Sequence, residues 1–81
     1  MSITVRYFAG ARAAAGRAEE ALPAVGCLDD LVAELRDRHG ETLGAVLAVS
    51  SFLVDGLAWH DRRNPIPSGA TVDVLPPFAG G

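Results

Sequence analysis

Apolar residues alternate with polar ones near both ends of the chain and recur every third or fourth position in its middle. In ITVRYF, Ile3, Val5 and Tyr7 alternate with Thr4, Arg6 and Phe8. Its β-branched and aromatic content predicts a first strand with apolar cover on both faces. AGARAAAG follows, where Gly10 and Gly16 bracket small residues and permit a loop or a short helical turn. RAEEAL, Arg17 to Leu22, is too short for an independent helix and is closed by Pro23, so it is expected to be a second strand pairing with the first.

From Cys27 the period changes. Leu28, Leu31, Val32 and Leu35 fall on one helical face, while Asp29, Asp30, Glu34, Arg36 and Asp37 fall elsewhere. Asp29 and Asp30 favour the start of the helix dipole, Arg38 and His39 its end, and Gly40 can take a left-handed stop position. Leu43, Val46 and Leu47 continue at helical spacing and predict a weaker second helix interrupted by Gly44. Asp55-Gly56, between two short apolar runs, is a hairpin signal that makes Ser51 to Val54 a third strand. Pro65, Pro67 and Ser68-Gly69 mark turns before a last alternating strand, Thr71 to Leu75.

Two hairpin-connected strands, a crossover helix and returning strands describe an α+β fold. It is a mixed sheet with one main helix, the ubiquitin-like β-grasp arrangement. The expected division is a domain over residues 1–75 and an extended tail over 76–81.

Composition narrows the function. A hydrophobic fraction of 49% against 21% charged residues is that of a globular chain. At 81 residues the core is small, hiding roughly 60 to 65% of the unfolded surface. No apolar run approaches the length needed to cross a bilayer, and MSITVRYF has no secretory pattern, so the cytoplasm is the expected location. A net charge of -3 makes nucleic acid an unlikely partner. All seven cations are arginines, which leaves no side-chain amine for an isopeptide bond. The single Cys27 cannot form an internal disulfide, and no Cys or His spacing suits a metal. His39 and His60 have no nucleophile beside them in sequence, so a helix end is the expected place of His39. Cys27 is expected at a semi-buried helix cap, and Arg62 and Arg63 in a solvated loop.

The ending PPFAGG carries the chemistry. Pro76 and Pro77 lack backbone N–H groups and stop strand pairing, so the chain leaves as a stiff, extended segment. Residues 76–81 can span about 20 Å. Without Cβ atoms, Gly80 and Gly81 can pass a slot that alanine would block. The group so delivered is an α-carboxylate, ionised at neutral pH and a poor acyl donor until it is activated. Adenylation by ATP supplies a leaving group, after which sulfur or an amine can attack the glycyl carbonyl.

Two segments resemble the MoaD/ThiS family of sulfur carriers, chiefly its branch of molybdopterin synthase small subunits (MoaD). VRYFAGARAAAG is similar to that branch's opening strand and loop, with the aromatic-Ala pair Phe8-Ala9, then Arg12 and Gly16. NPIPSGATVDVLPPFAGG resembles the family's turn, last strand and diglycine tail. Together they cover more than a third of the chain. Phe78 departs from the usual smaller aliphatic residue, and VDGL, Val54 to Leu57, from the more usual Val-Asn-Gly.

The resemblance implies that a MoeB-like, E1-like adenylyltransferase uses ATP to activate Gly81, and that a sulfur donor then converts it to a thiocarboxylate. Residues Pro76, Pro77, Phe78, Ala79 and Gly80 would carry that end into a MoaE-like large subunit, in a heterotetramer. There the sulfur would pass to precursor Z in molybdenum cofactor biosynthesis. The chain would bind no cofactor or metal and act as a non-catalytic subunit, with catalytic side chains on the large subunit. Phe8, Phe52, Leu75 and Phe78 are the expected partner-binding residues. Other readings are a carrier for thiamine or cysteine pathways, a ubiquitin-like protein modifier, and a binding domain with an inert tail.

Overall fold

The structure is a computed structural model and describes residues 2–77. The chain forms β1 (Ser2–Tyr7), α1 (Gly10–Ala15), β2 (Glu19–Pro23), α2 (Leu28–His39), α3 (Glu41–Ala48), β3 (Ser51–Val54), β4 (Leu57–Ala58) and β5 (Thr71–Leu75). The five strands make one mixed sheet in the order β2-β1-β5-β3-β4. The central pair, β1 and β5, is parallel, and every other pair is antiparallel. This is the expected β-grasp arrangement.

Alternation decides the two faces. Ile3, Val5, Tyr7, Leu22, Phe52, Val54, Val72 and Val74 are buried and face the helices, joined by Leu28, Leu31, Val32 and Leu35 of α2 and Leu43 and Leu47 of α3. Cys27 caps α2 in an extended conformation, and its backbone N–H donates to Asp30 Oδ2 at 3.3 Å. Gly40 ends α2 at φ 87° and ψ -171°, a positive φ with extended ψ. The expected left-handed stop is therefore replaced by a sharper reversal that starts α3 at once. Gly44 has a packing reason: a Cβ there would lie 2.8 Å from Arg36 Nε, across the α2–α3 contact.

Of the loop or short helical turn expected after β1, the structure has the helical one, α1, closed by Gly16 in the left-handed conformation at φ 78°. Two sequence expectations change in detail. The outer face of β1 carries Ser2, Thr4 and Arg6, so apolar cover is confined to its inner face. Phe52, expected at a partner surface, is only 4% exposed and packs in the core, because the strand period turns it inward beside Val54. The Asp55-Gly56 hairpin forms as expected, with φ 49° and 84°, and Asp55 Oδ1 accepts the Thr71 N–H at 2.9 Å.

Candidate functional site

The β5 strand sets where the tail leaves. Its register pairs Val74 with Tyr7 on one side and with Phe52 on the other, and Leu75 with Ser51. A strand held by neighbours on both edges is fixed in position and direction, so the chain is handed on from a rigid base. Beyond it Pro76 is half-buried and Pro77 exposed. The sequence-predicted tail residues Phe78, Ala79, Gly80 and Gly81 lie outside the described residues.

Around that base the outer face of the sheet carries Phe8, Leu53 and Leu75, each half-buried. Two of the four expected partner-binding residues, Phe8 and Leu75, thus stand near the exit of the tail. Two residues back along the same two strands lies a pair that sequence reasoning missed. Arg6 donates from Nε to Asp73 Oδ1 at 2.6 Å and from Nη2 to Oδ2 at 3.0 Å. Asp73 is 7% exposed despite lying on the open face. Its hydrogen bond and charge raise the Arg6 pKa above its ordinary value. The Arg6 guanidinium lies 5.7 Å from the Phe8 ring centroid, which ties the aromatic ring to the ion pair. One signal was available: Arg6 and Asp73 are opposite charges at the polar positions of two alternating strands, but only the parallel register shows that they meet.

A second missed cluster ties the edge strand β2 to the end of α2. Glu20 is buried on the helix side of the sheet. It accepts from Tyr7 Oη at 2.9 Å, lies 2.6 Å from His39 Nε2, and meets Arg17 Nη1 at 3.4 Å. Burial pushes the Glu20 pKa up, but hydrogen bonds from His39 and Tyr7 and the charges of His39 and Arg17 outweigh it, leaving a carboxyl below its ordinary range. The Tyr7 phenol is pushed the other way, above its usual value, by burial and then by Glu20. His39 stands at the helix end as expected, with a partner that sequence separation concealed.

A cleft of about 310 Å³ opens beside the exit of β5, lined by Leu28, Ser50, Ser51, Phe52, Ala58, Trp59, His60 and Arg62. It brings His60 near two serines, a grouping that sequence distance hid. Ser50 Oγ donates to Val46 O at 2.7 Å, which ties that hydroxyl to the backbone of α3. Arg62 donates to Asp29 Oδ1 at 2.8 Å and lies 5.7 Å from the Phe52 ring centroid, so it anchors its loop to α2 as well as meeting solvent. Among the described residues no group of three or more His, Cys, Asp or Glu side chains converges as metal ligands would. No described helix is long and apolar enough to cross a membrane.

What this arrangement can do chemically is to fix the point at which the chain leaves β5, beside a mixed apolar and ionic surface.

Comparison with known proteins agrees with the fold. The structure resembles a Pyrococcus furiosus protein named "Putative molybdopterin converting factor, subunit 1", with a TM-score of 0.81 and 28% identity over 96% of this chain and 99% of that one. It resembles small archaeal modifier protein 1 from Methanosarcina acetivorans, with a TM-score of 0.83 and 22% identity over 99% of this chain and 96% of that one. It also resembles a chain of the complex of subunits 1 and 2 of molybdopterin-converting factor from Helicobacter pylori, with a TM-score of 0.74 and 23% identity over the whole of both chains. No curated relative is matched by sequence. The ThiS family model matches residues 5–81, nearly the whole sequence and all of the tail. The chain belongs to the ThiS family of ubiquitin-like β-grasp proteins.

Proposed function

We propose that this protein is a sulfur carrier of molybdenum cofactor biosynthesis, the small subunit of a molybdopterin synthase. The observation that carries the reading is the diglycine end, Gly80-Gly81, which follows Pro76-Pro77 on a strand gripped from both sides, within a family match that runs to residue 81. Gly81 is adenylated with ATP by an E1-like, MoeB-type enzyme in the cytoplasm. Hydrosulfide released by a sulfur donor then displaces AMP at the glycyl carbonyl: a C–S bond forms, the C–O bond to phosphate breaks, AMP leaves with the electron pair, the sulfur gives up its proton, and a thiocarboxylate remains.

The slender tail carries that sulfur into a MoaE-like large subunit, which supplies the acid and base groups for transfer to precursor Z. Phe8 and Leu75 contribute to the docking surface, with Phe78 at the mouth of the partner's pocket. Support for the large-subunit partner comes from the Helicobacter pylori neighbour, which is one half of a complex of subunits 1 and 2. The Pyrococcus furiosus neighbour supports the same pathway by its name.

The test is reconstitution. Thiocarboxylated protein mixed with a MoaE-type large subunit and precursor Z is expected to yield molybdopterin and to return the chain with an ordinary carboxylate. A large subunit that neither binds the chain nor takes up its sulfur overturns the pathway. Recovery of Gly-Gly remnants on lysines of other proteins would place the chain with the modifiers instead, as the similarity to small archaeal modifier protein 1 allows.

A further inference from the structure

The outer face of the sheet is charged in one row only. Outward positions along the five strands are hydroxyl-bearing or apolar except for Glu19, Arg6 and Asp73. The register sets these three side by side: Arg6 lies opposite Glu19 of β2 and beside Asp73 of β5. The same row runs on to Leu53 of β3, opposite Asp73. Phe8 and Leu75 stand two residues further along, directly after the pair Tyr7 and Val74.

The three charges are not equivalent. Asp73 is 7% exposed, and Arg6 takes both of its oxygens, Oδ1 from Nε at 2.6 Å and Oδ2 from Nη2 at 3.0 Å. That closed fork presents no net charge, and a partner can cover it without stranding either ion. Glu19 is exposed on the edge strand β2, and among the described residues no ion pair includes it. Arg17, the cation nearest to it in sequence, meets Glu20 on the helix side instead. The face therefore carries one uncompensated carboxylate, at its rim.

The sheet also fixes how far that carboxylate stands from the apolar contacts. Glu19 and Leu75 are two strands and two residues apart, which at the usual strand spacing and rise is about 12 Å. A protein lying across the face meets an anion at one side, a neutral ion pair in the middle and an aromatic-aliphatic patch at the other.

We propose that this face is read by charge as well as by apolar contact: the protein that covers Phe8 and Leu75 presents an arginine or lysine to Glu19, about 12 Å from its own apolar patch. The inference rests on the reading of Phe8 and Leu75 as a docking surface, and it names the MoaE-like large subunit as the occupant. Arg6 and Asp73 are the neutral floor between the two contacts. A charge at the rim of an interface speeds encounter and fixes orientation more than it slows release. A surface that sets a carboxylate against Glu19 is turned away by the same charge.

The test is the kinetics of binding between the full chain and a MoaE-type large subunit, at low and at high salt. Glu19→Gln is expected to slow association about three-fold at low salt with little change in dissociation, and Glu19→Lys about ten-fold or more. Both losses should shrink below about two-fold near about 0.5 M NaCl, where the screening length is about 4 Å. Asp37→Asn is the control. It removes a charge of the same sign from the exposed side of α2, on the other side of the sheet, and should leave association nearly unchanged. Should a lysine opposite Arg6 loosen the edge strand, the isosteric Glu19→Gln decides alone.

Association that is as fast in the Glu19 variants as in the wild type, or slowed equally by Asp37→Asn, overturns the proposal and leaves the carrier reading standing. A wild-type chain that does not bind the large subunit at all overturns the occupant and the pathway reading together. Self-association of the wild-type chain that is lost in Glu19→Lys would give the face to a second copy and overturn the proposal as well.

Discussion

Arg6 and Asp73 stand 67 residues apart in sequence and 2.6 Å apart in space, on the open face of the parallel pair β1 and β5. The Asp73 side chain is 10% exposed against 48% for Arg6, so the carboxylate depends on the guanidinium more than the reverse. Arg6→Leu strands a buried charge, whereas Arg6→Leu with Asp73→Leu removes both. The single variant is expected to melt below the double one. Thermal unfolding of the pair checks this, and a double variant less stable than the single would show that the unpaired Asp73 carboxylate is not the source of the loss.

Glu20 gives the fold its expected acid sensitivity. Its folded pKa is lower than its unfolded one, so it contributes stability that is present above the ordinary glutamate range and is lost as pH falls through the folded value. Tyr7 runs the other way. Its raised pKa contributes stability that is complete below the ordinary phenol range near 10 and lost above it. Urea midpoints should therefore drop below about pH 4.5. Glu20→Gln should flatten that acid limb. Tyr7→Phe, which takes one donor from a buried carboxylate, is expected to cost about 1 to 3 kcal/mol at neutral pH.

Leu35 is fully buried between α2 and the sheet. Leu35→Ala should cost about 2 to 5 kcal/mol, a large share of what a domain of this size has. Denaturant unfolding gives the value directly. A cost below about 1 kcal/mol would mean that the site collapses around the truncation.

Most of the fold was legible because its elements are short and cleanly periodic. Leu28, Leu31, Val32 and Leu35 could only face one way on a helix, and all four are buried. Asp55-Gly56 forced a hairpin, and Gly16 closed α1 through its left-handed φ. Phe52 shows the limit. An aromatic residue near the chain's exit looks like a contact residue until strand parity is known, and parity turns it into the core. Arg6 with Asp73 and Glu20 with His39 were hidden for another reason: each pairing depends on which strands or helices become neighbours, and charge patterning along the chain carries no such information. The end of β5 at Leu75 was legible from Pro76-Pro77 alone, while the two-sided grip on that strand needed the sheet order.

Removing Gly81 separates chemistry from folding. Because β5 ends at Leu75 and, among the described residues, the core contains none beyond Val74, the shortened chain should melt within about 2 °C of the full one. It should take up no sulfur. A marked loss of thermal stability would mean that the tail belongs to the fold.

The most direct test is the intact mass of the chain after incubation with an E1-like adenylating enzyme, ATP and a sulfur donor. The account predicts a gain equal to the replacement of one oxygen by sulfur, located by fragmentation at Gly81 and absent when ATP is omitted. An unchanged mass, while the same enzyme loads a known carrier of this family in parallel, would contradict it.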